Sequence, residues 1–434
     1  MLESICSITI GDRVWVSNSV PFLLAATGSS LDKEYFHYEE DFCSGMKGVR
    51  NSSKSTPLSV GRELRFHRSC NVEVDAQLTV NEKTKHSELD FHNYDAYMDS
   101  LRKVLRRIKE NATDRARKTP YGMVTTISRG YDAPAASALA FEVGCRIALT
   151  FNTPERYKDD CGSEIARRLG YSEIHELDGE EYLRNTALLE AESCSTGNAG
   201  TSIIFLPYEK LYRGKLLFRG TRGDSLWARA HKNVNDEQDF TSENQLVQSD
   251  SAFTENMLRN NTVIINVPMI GCDRWTEIDR LSSSSEMDTW SVGGDYDRPI
   301  PRRIVEEKGV ERTAFGQKKT GVGITYHFDT LRRVGRRMSP VSYSSLLSYK
   351  KNLKRNGLSY ALYAMKCYTK DLPMYLNYLT SKLRIPLHFS TEGCGKMSSP
   401  ISTVLILWGM DVMVNRYKEK IAKGMETADG TPKG

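Results

Sequence analysis

The sequence predicts an α/β protein: a doubly wound parallel sheet, with a small β-rich region ahead of it and a helical region behind. Three observations carry that prediction. The β-branched run Val124 to Ile127 ends in a polar turn and opens into the alanine-rich stretch Ala133 to Val143, a strand, a turn and a packed helix in succession. Strand-like and helix-like segments then alternate through Trp227, the order of a parallel sheet covered on both faces. With 434 residues, 39% of them apolar, the chain is long enough for such a core and for two flanking regions.

Residues 1–110 form the β-rich region. Arg13 to Val16, Arg62 to Phe66, Cys70 to Val74 and Gln77 to Val80 read as short strands, and Tyr94 to Ile108 as an amphipathic helix through Leu101, Val104, Leu105 and Ile108. Residues 111–330 form the sheet domain. After the first strand and helix it continues with a strand at Arg146 to Phe151, a helix at Asp160 to Leu169 and a strand at Ser172 to Leu177. A helical stretch at Glu180 to Leu189 and a strand at Lys215 to Phe218 follow, and Arg219 to Trp227 turns into a further helix. Ser282 to Ser285, with Gly293 and Gly294 nearby, reads as a mobile loop over the site. Residues 331–434 are helical at Ser342 to Asn356, Leu358 to Tyr368, Pro373 to Leu383 and Ile401 to Ala422, with Gly357 and Pro386 as breaks. Tyr375, Tyr378 and the neighbouring tyrosines read as helix contacts, and the tail from Thr427 as disordered.

The turn Ser128-Arg-Gly-Tyr-Asp132 carries the chemistry. A strand-to-helix turn aims backbone N–H groups and the positive end of the helix dipole at one point, which suits a phosphate or pyrophosphate. Gly130 permits close backbone approach. A carboxylate at Asp132 beside phosphates calls for a divalent cation such as Mg²⁺ between them. In open parallel sheets the ligand sits at the carboxyl ends of strands near the point where strand order reverses. Both Ser128 to Asp132 and Gly220 to Asp224 fall at such ends.

Ser128, Gly130 and Asp132 resemble the Ser-Gly-Gly-x-Asp-Ser pyrophosphate loop of the ATP pyrophosphatases, or PP-loop proteins, and of the asparagine synthetase branch in particular. Arg129 stands at the first glycine of that pattern and Ala133 at its last serine. Gly220-Thr-Arg-Gly-Asp224 is similar to the family's Gly-Glu-Gly-Ala-Asp turn, with Thr221 at the glutamate. The resemblance implies a PP-loop fold. It implies ATP and Mg²⁺ as cofactors, with Ser128, Arg129, Gly130, Tyr131 and Asp132 at the pyrophosphate. Gly220 and Gly223 would stand in the second turn, and Asp132 and Asp224 on the metal. Leu149, Thr150 and Phe151 look like the strand that receives adenine. The segment Tyr296 to Lys319 resembles the family's helix and lysine loop, in which Phe315-Gly316 docks the loop and Lys318 or Lys319 reaches the leaving pyrophosphate. The implied activity is ATP-dependent amide formation: a carboxylate activated as acyl-adenylate, then attacked by an amine or ammonia. Arg129, Ala133 and Thr221 keep open a nucleotide-binding protein of the same fold without ligase activity. Leu58 to Leu64 loosely resembles the hairpins of the family's glutaminase domain, so residues 1–110 read as a shortened relative of it. Met1-Leu2 stands where that domain exposes its cysteine nucleophile, with Cys6 behind, which implies an inactive one.

Composition narrows the partners. A net charge of +5 is small for this length, so the basic islands Arg332-Arg333, Arg336-Arg337 and Lys350 to Arg355 read as solvated faces or as sites for an anionic substrate, and no nucleic acid is expected. No membrane is expected either: the longest apolar stretch, Ile401 to Val414, is interrupted by Ser402, Thr403, Gly409 and Asp411 and reads as a buried helix. Nine cysteines without a Cys-x-x-Cys pair point to a reducing cytoplasm, not to zinc or a disulfide framework. His175 reads as a core residue on a strand.

Overall fold

The computed structural model describes residues 4–47, 52–84, 89, 91–152, 160–197, 200, 202–229, 251–294, 296–317, 324, 326, 330–369, 372–383, 385, 387–390 and 399–429. The chain begins with β1 (Ile5–Ile10) and β2 (Arg13–Ser17), then α1 (Val20–Thr27) and α2 (Tyr38–Phe42), followed by β3 (Ser55–Pro57) and β4 (Glu63–His67). The four strands form an antiparallel sheet in the order β2-β1-β4-β3. The Ser19 side chain caps α1 by accepting from the Phe22 N–H at 3.1 Å, Pro21 opens the helix, and Gly28 closes it at φ +64°.

A separate hairpin pairs β5 (Cys70–Val74) with β6 (Val80–Thr84). The expected strand at Gln77 to Val80 is mostly its turn: Asp75 Oδ1 accepts from the Gln77 and Thr79 N–H groups and Leu78 sits at φ +62°. The long α3 (Tyr94–Thr113) follows. Asn93 caps it, and Tyr97, Leu101 and Leu105 are buried along one face.

The centre of the molecule alternates β7 (Gly122–Thr126), α4 (Asp132–Glu142), β8 (Ile147–Asn152), α5 (Ser163–Arg168) and β9 (Glu173–Asp178). It continues with α6 (Glu190–Cys194), α7 (Glu209–Tyr212), β10 (Lys215–Arg219), α8 (Gly223–Leu226), α9 (Thr254–Asn260) and β11 (Val263–Asn266). These five strands form a parallel sheet in the order β11-β10-β7-β8-β9. The order reverses between β7 and β10, which places the switch point between those two strands. One core packs α4 and α5 against one face through Ala135, Leu139, Ile165 and Phe218. The other covers the opposite face with Val124, Leu149, Leu217, Ala191 and Tyr212. The central strands β7, β8 and β10 are therefore buried on both sides, which accounts for their largely apolar sequences, whereas the edge strands β9 and β11 are only partly covered.

Several expectations are corrected here. Glu180 to Leu189 is not one helix: a 3₁₀ turn at Glu181–Arg184 ends in extended Asn185, and Leu188 at φ +52° breaks any continuation. His175 is no core residue, because β9 is an edge strand and the ring is half-buried beside Glu173 at 2.6 Å. Ser282 to Ser285 is not a loop over the site. It joins α10 (Trp275–Ser282) to a 3₁₀ turn at Ser285–Trp290, with Ser282 and Met287 wholly buried.

Beyond α11 (Pro299–Glu306) the described chain is helical: α12 (Leu331–Arg337), α13 (Pro340–Asn352), α14 (Gly357–Thr369), α15 (Leu372–Lys382) and α16 (Pro400–Asp429). Tyr375 and Tyr378 are exposed rather than packed, and helix continues past Thr427 to Asp429. Helix α16 joins the two ends of the molecule. Ile406, Leu407 and Met410 pack beneath the antiparallel sheet, while Leu405 and Trp408 enter the core shared with the parallel sheet. Gly409 lets it lie directly on α6, since a Cβ there would stand 2.7 Å from the Ser195 nitrogen. Among the described residues no helix is long and apolar enough to cross a membrane.

Candidate functional site

The carboxyl ends of β7 and β10, on either side of the switch point, open into a cleft of about 340 Å³. Ser128, Gly130, Asp132, Leu149, Phe151, Gly220 and Asp224 all line it.

The turn after β7 is braced from behind. The Arg129 N–H donates to Asp160 at 3.3 Å, Ser128 pairs with Cys161 as an isolated bridge, and a Cβ on Gly162 would stand 2.8 Å from the Ser128 nitrogen. The Thr150 hydroxyl accepts from the Gly162 N–H at 2.8 Å. Thr150 is wholly buried, so it positions this brace and does not face the cleft as the adenine-strand reading expected. The Gly130 N–H is engaged by Ser128 Oγ at 3.3 Å, so a phosphate at this amide would take it from the hydroxyl. Gly130 needs no exception to ordinary sterics: a Cβ there would meet Ser128 and Tyr296 only at 3.6 Å.

The two turns press together. A Cβ on Gly220 would lie 2.3 Å from the Asp132 carbonyl carbon, and one on Gly223 would lie 2.4 Å from Asp132 Cγ. These glycines let the start of α4 and the start of α8 share one wall. Arg222, between them, takes φ +71°, a strained conformation of the kind found at ligand clamps.

Tyr131 lies in the turn at the cleft wall, and its side chain is wholly buried. Its hydroxyl bonds to Arg302, and its ring meets Tyr296 at 4.7 Å and Phe315 at 6.0 Å between centroids. Gly316 seats the following segment on this ring, its N–H donating to the Arg129 carbonyl at 2.7 Å. The chain is thus docked at Phe315-Gly316. Lys318 and Lys319 lie outside the described residues.

Electrostatically, the cleft gathers the carboxylates of Asp132, Asp160 and Asp224 with the guanidinium groups of Arg219 and Arg298. Arg298 Nη1 donates to Asp132 Oδ2 at 2.6 Å, and both groups are largely buried. Arg298 also lies over the Tyr296 ring at 4.8 Å. Burial, and then the Asp132 charge, push the Tyr296 hydroxyl up to about 12, so it stays a neutral donor. Arg219 reaches across to Ser202 at 3.3 Å and lies over Phe205, which packs edge-on against Phe151 at 4.8 Å. That gives one apolar flank beside the charged centre.

Sequence reading therefore missed Asp160, Gly162, Arg219, Tyr296 and Arg298. Arg298 sits one residue before Pro299, inside the segment already singled out, but its partner is 166 positions away. Among the described residues no cluster of three histidine, cysteine or acidic side chains could hold a metal unaided. Asp132 and Asp224 fit one nonetheless, because Mg²⁺ needs only one or two protein carboxylates when phosphates and water complete its shell. Asp224 is exposed at the cleft, whereas Asp132 must yield Oδ2 from Arg298. Compared with known proteins, the chain matches no family model and no curated sequence.

Proposed function

We propose that the chain is an ATP-dependent ligase of the asparagine synthetase type, activating a carboxylate as an acyl-adenylate with release of pyrophosphate. The observation that carries this reading is the contact of two Asp-bearing turns across the switch point, with Gly220 and Gly223 set against Asp132. That arrangement brings the amino terminus of α4 and the carboxylates of Asp132 and Asp224 to one cleft, which suits a pyrophosphate bound with a cation.

Leu149, Phe151 and Phe205 offer the adenine an apolar flank, and the Ser128 to Asp132 turn faces the phosphates. Mg²⁺, held through Asp132 and Asp224, supplies screening of phosphate charge. Arg298 and Arg219 orient anionic oxygens, and Lys318 or Lys319, following the docked Phe315-Gly316, meets charge developing on the leaving pyrophosphate. The substrate carboxylate oxygen attacks the α-phosphate, and an amine or ammonia then displaces AMP to give the amide.

A second reading, nucleotide binding without adenylation, is favoured by the Arg298–Asp132 pair, which already neutralises the carboxylate assigned to the metal. Isotopic exchange between pyrophosphate and ATP, across a panel of carboxylates with Mg²⁺, separates the two. The ligase reading expects exchange with at least one carboxylate, falling roughly 10²-fold or more in Asp224→Ala. Calorimetric ATP binding without any exchange selects the second reading. ATP affinity indifferent both to chelation and to Asp132→Asn rules out the site altogether.

A further inference from the structure

Charge is distributed very unevenly along this chain. Residues 330–399 contain 13 lysines and arginines against 2 acidic residues, a net of +11, so with +5 overall the remaining residues carry −6. The same stretch is where apolar side chains face solvent. Twelve of the nineteen large apolar side chains exposed among the described residues fall between Val341 and Phe389.

Their spacing is helical. On α14, Leu358, Leu362 and Met365 share one exposed face, while Tyr363 and Cys367 bury the other, Tyr363 stacking on Phe36 at 5.0 Å. Leu372, Tyr375 and Tyr378 repeat the pattern on α15, each about half exposed or more. Lys350, Lys351, Lys354, Lys366 and Lys382 are exposed on these same elements and the short link after α13.

We propose that the exposed apolar and basic sides of α13, α14 and α15 lie on the surface of an anionic lipid bilayer. Basic helices that present aliphatic and tyrosine side chains beside lysines bury those side chains at the headgroup boundary while the lysines meet anionic lipid. Spanning the bilayer is not required, so the lack of a spanning helix among the described residues does not bear on it. A second copy of this chain fits the face poorly, because a two-fold contact would set one basic surface on another. Nucleic acid fits less well: eight of the twelve exposed side chains are leucine, isoleucine or methionine, which do not stack on bases, against three aromatic ones.

The test is flotation of the full chain with vesicles of phosphatidylcholine alone and of phosphatidylcholine with phosphatidylserine, at low and high salt. The expected result is at least about tenfold tighter binding to the anionic vesicles, weakened by salt. Reversing Lys350, Lys351 and Lys354 together to Glu should reduce binding roughly 10²-fold. Leu358→Ser with Leu362→Ser and Met365→Ser should remove the binding that survives salt. A circular dichroism melt tests whether each variant is folded, and the lipid preference of the unaltered chain decides the matter even if one is not. Equal or negligible flotation with both vesicles overturns the proposal. So does self-association in sedimentation velocity that the serine variant abolishes, or tighter binding to single-stranded RNA than to the anionic vesicles.

Discussion

The cleft beside the parallel sheet and the void beneath the antiparallel sheet both collect ionisable side chains, and they treat them in opposite ways. In the cleft, Asp132, Asp224, Arg219 and Arg298 border an open space of about 340 Å³, and the deepest pair is matched in charge at 2.6 Å. The void, a narrow pocket open at one side, holds only about 50 Å³ and is lined by Cys6, Arg68 and Glu255, all at least nine-tenths buried. Charge in an open cleft keeps its solvation or its partner and is available to a ligand. Around the narrow pocket the ionisable side chains themselves are buried, and acids there are driven toward their neutral form. One region thus offers charge to a ligand, whereas the other is a packing joint between the amino-terminal sheet, α1, the end of α6 and α9.

The largest effect that sharpens this contrast is a pH dependence of stability from Glu255. Burial lifts its carboxyl to about 7 from an ordinary value of 4.5, while the Tyr417 hydroxyl, donating at 2.7 Å, lowers it only in part. Between those two values the folded chain holds a proton that the unfolded chain releases. Stability therefore falls as pH rises from about 4.5 to about 7 and is level above that, with a total cost of about 3 kcal/mol. Glu255→Gln keeps an acceptor for Tyr417 and removes the titration. Urea unfolding should show the variant more stable than the native chain at pH 8 and nearly equal near pH 5. An unchanged pH profile would mean that water reaches the void.

A smaller effect probes how firmly the cleft is shaped. Gly220→Ala sets a methyl group 2.3 Å from the Asp132 backbone, which has no flexible end to move aside. It should cost about 1–3 kcal/mol and lower the melting temperature. Gly357→Ala, at a glycine with open space around it, should change stability by no more than about 0.5 kcal/mol. Equal melting temperatures for the two variants would mean that the two turns are not in fixed contact.

The contrast also shows what could be read from sequence. Four of the five parallel strands and α4 were legible, β7, β8 and β10 because each is an apolar run long enough to outweigh its turns, and Ser128 to Asp132 was legible as the turn after one of them; β11 was not anticipated. Reading failed where one residue's backbone decides the outcome, as at Leu188 and Leu78, whose positive φ values no propensity anticipates. It failed for His175, because only strand order reveals β9 as an edge. The site residues that escaped, Asp160, Gly162, Arg219 and Arg298, act across the fold: Gly162 matters only for what it lies against, and Arg298 only for the carboxylate it meets. Short motifs encode local geometry, whereas charge pairing between turns is set by topology.

The smallest effect concerns Cys6, the residue with the clearest chemical alternative. It lies within β1, paired with Ser17 and Phe66, and is 2% exposed. Burial pushes its thiol up to about 12 despite the nearby Arg68 charge, so near pH 8 only about one molecule in 10⁴ carries the thiolate that a nucleophile needs. Cys161, half-buried at the brace of the cleft, has readier access to solvent. Alkylation of the folded chain should therefore modify Cys161 well before Cys6, with Cys6 reacting only in denaturant. Cys6→Ala should cost about 1 kcal/mol for the lost packing, with no change in glutamine hydrolysis. Fast labelling of Cys6 in the folded chain, or glutamate release from glutamine that Cys6→Ala abolishes, would make the void a second reactive centre and end the distinction between the two regions.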